Sequence, residues 1–196
     1  MNQPHAFDPT VLSHVRTVIS IIVGLSMGRL LTGLARFVQH PRQNKIYSVH
    51  LAWTFFMLLH IISFWWWEFH LINVQWTFPL YGFVAFYASV FFFMCTMLFP
   101  DTMYEYKGFE DYFMSRRKWF FGILIGTFFL DIVDTLIKGS DYVESLGPEY
   151  WVRIAFFVVT SAAAIVIANQ RFQLAFAIIA LIAEISWALG LYDTLT

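Results

Sequence analysis

Five ionisable side chains interrupt the apolar segments of this sequence, and their chemistry could define a function. Four of them are charged at neutral pH, and the fifth is a histidine: Arg29, Asp131, Asp134, Glu184 and His60. A charged group at the centre of a membrane helix costs roughly 2.5–3.5 kcal/mol unless an opposite charge, a backbone carbonyl or water receives it. We therefore expect these groups to meet one another or to mark a path for protons or small cations.

The fourth apolar segment contains a polar stripe. Four of its residues recur at three- and four-residue intervals, which a helix places on one face: Thr127, Asp131, Asp134 and Lys138. Two carboxylates three residues apart repel each other when both are ionised, so the pair can hold and release a proton or bind a cation. The structural alternative is that Asp131 neutralises Arg29. Asp134 would then pair with Lys138 near the interface.

Glu184 lies near the middle of the last apolar segment, beside small residues. Ala177 and Ala180 lie near its helical face, so the helix is narrow there and can pack closely on a neighbour. A glutamate at this depth predicts a functional site. The alternative is a salt bridge or hydrogen bond that locks two helices together. The partner of Arg29 stays open between Asp131 and Glu184.

His60 lies in the second apolar segment, with Trp53 and Trp67 seven residues away on either side. This spacing predicts an imidazole in an aromatic wall, where it relays protons or, as the alternative, packs as a hydrogen-bonded histidine. His50 is the other histidine of that segment, about 80° away around a helix, and all six histidines precede position 71. Haem ligation by two imidazoles is therefore not expected, nor is any other cofactor or metal.

Six apolar segments must position these groups. Charged residues make up 13% of the 196 residues and hydrophobic residues 59%, whereas a soluble domain has about 25% charged residues. About 20 apolar residues span a bilayer as a helix. The expected spans are residues 17–38, 46–69, 76–99, 119–137, 150–168 and 172–191. The sequence thus predicts an all-α polytopic membrane protein, with residues 1–196 as one integral membrane domain and a bundle of six transmembrane helices joined by short loops.

The polar segment from Asp101 to Lys118 mixes charges with aromatic residues. This composition is typical of a short amphipathic helix on the membrane surface. A solvated loop with an aromatic fringe is the alternative.

Three spans in each half would make any internal repeat an inverted one, as in many secondary transporters. Gly24 and Arg29 in the first half can be aligned with Gly126 and Asp131 in the second. Because the match is short and the composition of the sequence is biased, chance explains this alignment better than common descent of the two halves does. The 3+3 inverted repeat nevertheless stays an expectation that the structure can test.

Most lysines and arginines fall in the loops after the first, third and fifth spans, whereas Arg16, Lys138 and Arg153 lie near span ends on the other side. By the positive-inside rule those loops are cytoplasmic, and both termini are non-cytoplasmic. We expect an integral protein of a bacterial inner membrane. Because six spans make a narrow bundle, we also expect a homo-oligomer or a partner in a membrane complex.

The first functional hypothesis is a proton or small-cation channel or transporter that uses the intramembrane carboxylates. The alternative is a non-catalytic membrane scaffold or accessory subunit of a larger complex, whose buried charges pair helices. A net charge of −1 argues against nucleic acid as a partner. The sequence contains no phosphate-binding loop, zinc-binding helix or nucleophile elbow, so an enzyme is not expected.

Overall fold

The protein is described here by a computed structural model that covers residues 9–41 and 45–191. All regular elements in these two ranges are helical: α1 (Pro9–Gln39), α2 (Ser48–Trp67), a 3-10 helix (Glu68–Asn73), α3 (Phe78–Leu98), α4 (Phe109–Lys138), α5 (Ser140–Ser145), α6 (Gly147–Val166) and α7 (Gln170–Leu191). Six of these helices, α1, α2, α3, α4, α6 and α7, are long and apolar enough to cross a membrane. The prediction of an all-α protein with six membrane spans is confirmed.

Local chemistry accounts for several helix ends. The Thr77 side chain accepts a hydrogen bond from the Leu80 amide at 3.4 Å, and Pro79 occupies the first turn of α3, where its missing N–H is tolerated. Gly139 ends α4 with a φ of +108°, a conformation that L side chains rarely adopt. The Gln173 amide donates to two carbonyls at the end of α6, which would otherwise lack partners there.

The α2 helix lies at the centre of the bundle. It contacts α1, α3, α4 and α7, and the other large interfaces join α1 to α3 and α4 to α6. Trp53, which is fully buried, packs edge-on against Phe120, Phe121 and Phe176 at 5.1–5.3 Å between ring centroids. Such pairs contribute about 0.5–1.5 kcal/mol each beyond the burial of their area. The half of the bundle nearer to the basic loops is therefore filled by aromatic rings.

The fourth spanning helix begins at residue 109, ahead of the predicted residue 119. The segment from Asp101 to Lys118 is thus neither a separate surface helix nor a loop throughout, because its second half is the start of α4. The reason is aromatic packing: the Phe109 ring lies 4.9 Å from that of Phe37, and the Phe113 ring lies 6.4 Å from that of Tyr47. The short helix α5 was not predicted either.

The two halves of the bundle pack differently. In the first half, the first and third spanning helices, α1 and α3, form the largest interface, whereas in the second half the first and second, α4 and α6, do so. The helices of the two halves therefore do not pack in the same arrangement. The inverted repeat is not confirmed and stays a prediction.

Candidate functional site

A small cavity with polar walls lies among α2, α3, α4, α6 and α7, in the half of the bundle away from the basic loops. Its volume is about 30 Å³, which is room for about two water molecules. We call it the polar cavity. Its polar lining residues are His60, Ser63, Glu68, Tyr87, Asp131, Asp134, Thr135, Lys138, Tyr142, Tyr150, Arg153 and Glu184.

The α4 helix supplies one wall of the polar cavity. Asp131, Asp134 and Lys138 share a face because they recur three and four residues apart, as the polar stripe predicts. Thr127 is buried on the same helix, but its hydroxyl donates to the Leu124 carbonyl and it does not line the cavity. Three of the four members of the predicted stripe therefore meet in one site.

Glu184 is the most buried acid of the site, with none of its surface exposed. Its carboxylate accepts hydrogen bonds from His60 Nδ1 at 3.0 Å and from Arg153 Nη2 at 2.8 Å. Ala177 and Ala180 on the same helix are also fully buried, consistent with the narrow face read from the sequence. Glu184 thus joins three helices, α2, α6 and α7, through one side chain.

The His60 imidazole is surrounded by aromatic rings. It stacks on Phe56 at 5.2 Å and meets the rings of Phe91 and Phe128 at 5.3 and 5.8 Å. Because Nδ1 donates to Glu184, the neutral ring keeps a lone pair on Nε2. That nitrogen is buried and has no hydrogen-bond partner within the described residues. His60 thus contributes one buried acceptor nitrogen beside Glu184.

Arg153 is the cation that compensates Glu184. Its guanidinium lies 5.3, 5.5 and 5.1 Å from the ring centroids of Phe128, Phe157 and Trp187, an arrangement that stabilises a desolvated cation. Its Nη1 is also 4.0 Å from Asp131 Oδ2. Arg153 therefore binds Asp131 less closely than it binds Glu184, and the Asp131 side chain is 29% exposed.

A second ion-pair group lies beside the first. Lys138 Nζ donates to the Asp134 carboxylate and lies 3.5 Å from Glu68 Oε1. The pairing of Asp134 with Lys138 agrees with the structural alternative considered above. Glu68 is 7% exposed, and neither of its carboxylate oxygens accepts a hydrogen bond from the part of the chain that the structure describes.

The charges around the polar cavity do not balance. Its described lining residues include four carboxylic acids, Glu68, Asp131, Asp134 and Glu184, and two fixed cations, Lys138 and Arg153. With all six ionised and His60 neutral, these groups carry two net negative charges. Like charges in a medium of low dielectric repel strongly. A bound proton or cation would relieve this repulsion.

Arg29 lies outside the polar cavity, and the prediction that Asp131 or Glu184 is its partner is wrong. Its Nη2 donates to the Phe99 carbonyl at 2.6 Å and to the Asp101 carboxylate at 2.5 Å. These acceptors follow the end of α3, in the half of the bundle with the basic loops. Asp131 and Glu184 lie in the other half, at a different depth along the helices.

Glu68 and Arg153 are the two charged members of the site that sequence reasoning missed. Arg153 lies close to the start of α6, and a charge at that position is usually interfacial. The signal that could have identified it is its apolar surroundings, since Val152 and Ile154 flank it. Glu68 follows three tryptophans, which were interpreted only as an interfacial anchor.

No family model, no curated protein and no solved structure matches this chain. The function must therefore be argued from the polar cavity itself.

Proposed function

We propose that this membrane protein moves protons or small cations across the bilayer and binds them in the polar cavity. The observation that supports this function best is the surplus of two carboxylic acids over fixed cations around one cavity between spanning helices, since three of the four acids are buried. A surplus of buried negative charge is costly for a purely structural network. For a cation-binding site, the same surplus supplies the affinity.

The size of the cavity favours protons over hydrated cations. A volume of about 30 Å³ admits water molecules, which conduct protons along hydrogen bonds, but not a cation with its hydration shell. The partly exposed Asp131 adjoins Arg153, Arg153 adjoins Glu184, and Glu184 bonds to His60. The Arg153 guanidinium does not release a proton, so in this proposal water in the cavity carries the proton from the partly exposed Asp131 to Glu184, whose carboxylate bonds to the buried His60.

The aromatic rings on the far side of His60 favour a carrier over an open channel. Phe56 stacks on the imidazole and also touches Trp53, whose surroundings are aromatic on several sides. A proton that reaches His60 therefore meets a packed apolar layer before the basic loops. Passage requires a second conformation in which this layer opens.

Proton flux in proteoliposomes tests the proposal. The full chain is reconstituted with a pH-sensitive dye inside, and valinomycin with potassium sets the membrane potential. We expect proton entry with the wild type and at least a tenfold lower rate with Glu184→Gln and with Asp131→Asn. The matched control is Glu144→Gln, which removes an exposed carboxylate of α5 and should leave the rate unchanged.

Two results would contradict transport. One is wild-type flux in both Glu184→Gln and Asp131→Asn. The other is an absence of proton, sodium and potassium flux in a wild-type protein whose circular dichroism and size-exclusion profile show it to be folded.

The second candidate is a scaffold or accessory subunit, and the bridging position of Glu184 favours it. One carboxylate ties α7 to both α2 and α6, as expected of a charge that fixes helix positions for a partner. In that case Glu184→Gln lowers the thermal stability and the recovery of a complex, and no flux is lost because none exists. Copurification of a partner with the wild type and not with Glu184→Gln would support this role.

A further inference from the structure

A second and much larger concave surface lies on the opposite side of the protein, where α3 ends and α4 begins. Its volume is about 630 Å³, and it opens between α1, α3 and α4. We call it the arginine groove. The lining residues used here are Arg29, Phe92, Asp101, Tyr112, Arg116 and Trp119. None of them lines the polar cavity, so this inference does not depend on the proposed function.

Two guanidinium groups face the arginine groove. Arg29 comes from within the α1 span, and its Nε is buried and has no hydrogen-bond partner in the described ranges. Arg116 lies near the start of α4, where its Nε and Nη2 donate to the Tyr106 hydroxyl at 3.2 and 2.7 Å. Guanidinium groups present planar donor pairs that match the oxygens of a phosphate group.

The acid in the groove does not oppose an incoming anion strongly. Asp101 bonds to Arg29, but its side chain is 84% exposed. An ion pair with so exposed a partner contributes at most about 1 kcal/mol. Asp101 can therefore turn to solvent, and a phosphate can take its place on Arg29.

The walls of the groove suit a molecule with an apolar tail. Phe92 lies on α3 and Trp119 on α4, and Trp119 is 67% exposed. The α4 helix has 30 residues, whereas about 20 span a bilayer, so its first turns extend beyond the apolar core and Trp119 lies near the membrane interface, where tryptophan is enriched. Basic pockets between spanning helices at this level bind the head groups of anionic lipids.

We propose that the arginine groove binds one anionic phospholipid. Its phosphate lies between Arg29 and Arg116, and an acyl chain runs along the apolar side chains of Phe92 and Trp119. The lipid then adds to the direct contact that Arg29 already makes between α1 and the α3–α4 junction.

Native mass spectrometry of the full chain tests this inference. The protein is released from nanodiscs that contain equal amounts of phosphatidylglycerol and phosphatidylcholine, and the retained lipid is counted. We expect one phosphatidylglycerol per chain on the wild type, with a preference over phosphatidylcholine. Arg116→Gln should lower this preference about fivefold. Arg116 is exposed, so its replacement leaves folding intact.

Two further variants separate a specific site from general charge. Arg171→Gln removes an exposed basic residue at the start of α7, on the same side of the membrane but outside the groove, and should leave the preference unchanged. Asp101→Asn removes the competing carboxylate from Arg29 and should raise the preference. Unfolding of Asp101→Asn could not produce such an increase in phosphatidylglycerol binding.

Three outcomes would overturn the lipid site. The first is equal retention of the two lipids by the wild type. The second is an equal loss in Arg116→Gln and Arg171→Gln, which would indicate general attraction to the basic surface. The third is displacement of the lipid by millimolar inorganic phosphate, which would indicate a site for a soluble phosphate compound.

Discussion

The ion pair between Arg153 and Glu184 gives the sharpest energetic test of the polar cavity. Arg153→Met removes a hydrogen bond of 2.8 Å to a carboxylate that is fully buried. A hydrogen bond to a charged group contributes about 1.5–3 kcal/mol to stability. The three ring contacts of the guanidinium add about 1–2 kcal/mol, part of which methionine restores. We expect the free energy of unfolding to fall by about 3–5 kcal/mol, the range for breaking a buried pair.

Glu184→Gln should be less destabilising than Arg153→Met. The neutral amide keeps its oxygen as an acceptor for His60 Nδ1, and Arg153 keeps Asp131 at 4.0 Å. In the double variant no unpaired charge remains at Glu184. The cost of Arg153→Met together with Glu184→Gln should therefore be smaller than the sum of the single costs, by at least about 2 kcal/mol.

Unfolding of the purified chain in mixed micelles measures this coupling. The fraction of SDS is raised stepwise, refolding from high SDS is checked, and far-ultraviolet circular dichroism follows the helices. The matched control is the pair of exposed charges Glu144 and Arg171, whose replacements by glutamine should be additive within about 0.5 kcal/mol. Additivity of Arg153→Met and Glu184→Gln, or a stable Arg153→Met, would refute the electrostatic reasoning.

Three further predictions address packing, capping and orientation. Gly33→Ala should lower the free energy of unfolding by about 1–3 kcal/mol, because a methyl group there would overlap a buried phenylalanine ring; Gly24→Ala, which meets open space, should not lower it in the same SDS titration. Gln173→Leu removes hydrogen bonds of 2.9 and 2.7 Å to carbonyls at the end of α6 and should cost about 1–2 kcal/mol, with faster hydrogen exchange confined to the last turn of α6; unchanged exchange there would contradict the cap. Asp141→Cys should react with a membrane-impermeant maleimide on intact bacterial cells, whereas Lys107→Cys should react only after permeabilisation. The native Cys95 is buried and should not be labelled. The reverse labelling pattern would show that the orientation is opposite to the expected one.

Local sequence determined the helices of this protein. A backbone in lipid must satisfy its hydrogen bonds within each segment, so an apolar run of about 20 residues becomes a helix. Helical spacing alone also places Asp131, Asp134 and Lys138 on one face of α4. The sequence was less informative at the start of α4, where aromatic residues and charges alternate. Burial of Phe109 and Phe113 extends the helix there beyond its apolar part.

Tertiary structure decided which of these faces meet. His60 and Glu184 are 124 residues apart in sequence and become neighbours because α2 packs against α7. Arg29 pairs with Asp101 because the end of α3 lies beside the middle of α1. Hydropathy reports the length of each helix and periodicity reports its faces. Neither reports which helices are adjacent or how far each is shifted along its axis, and those two quantities place four acids and two cations around one cavity.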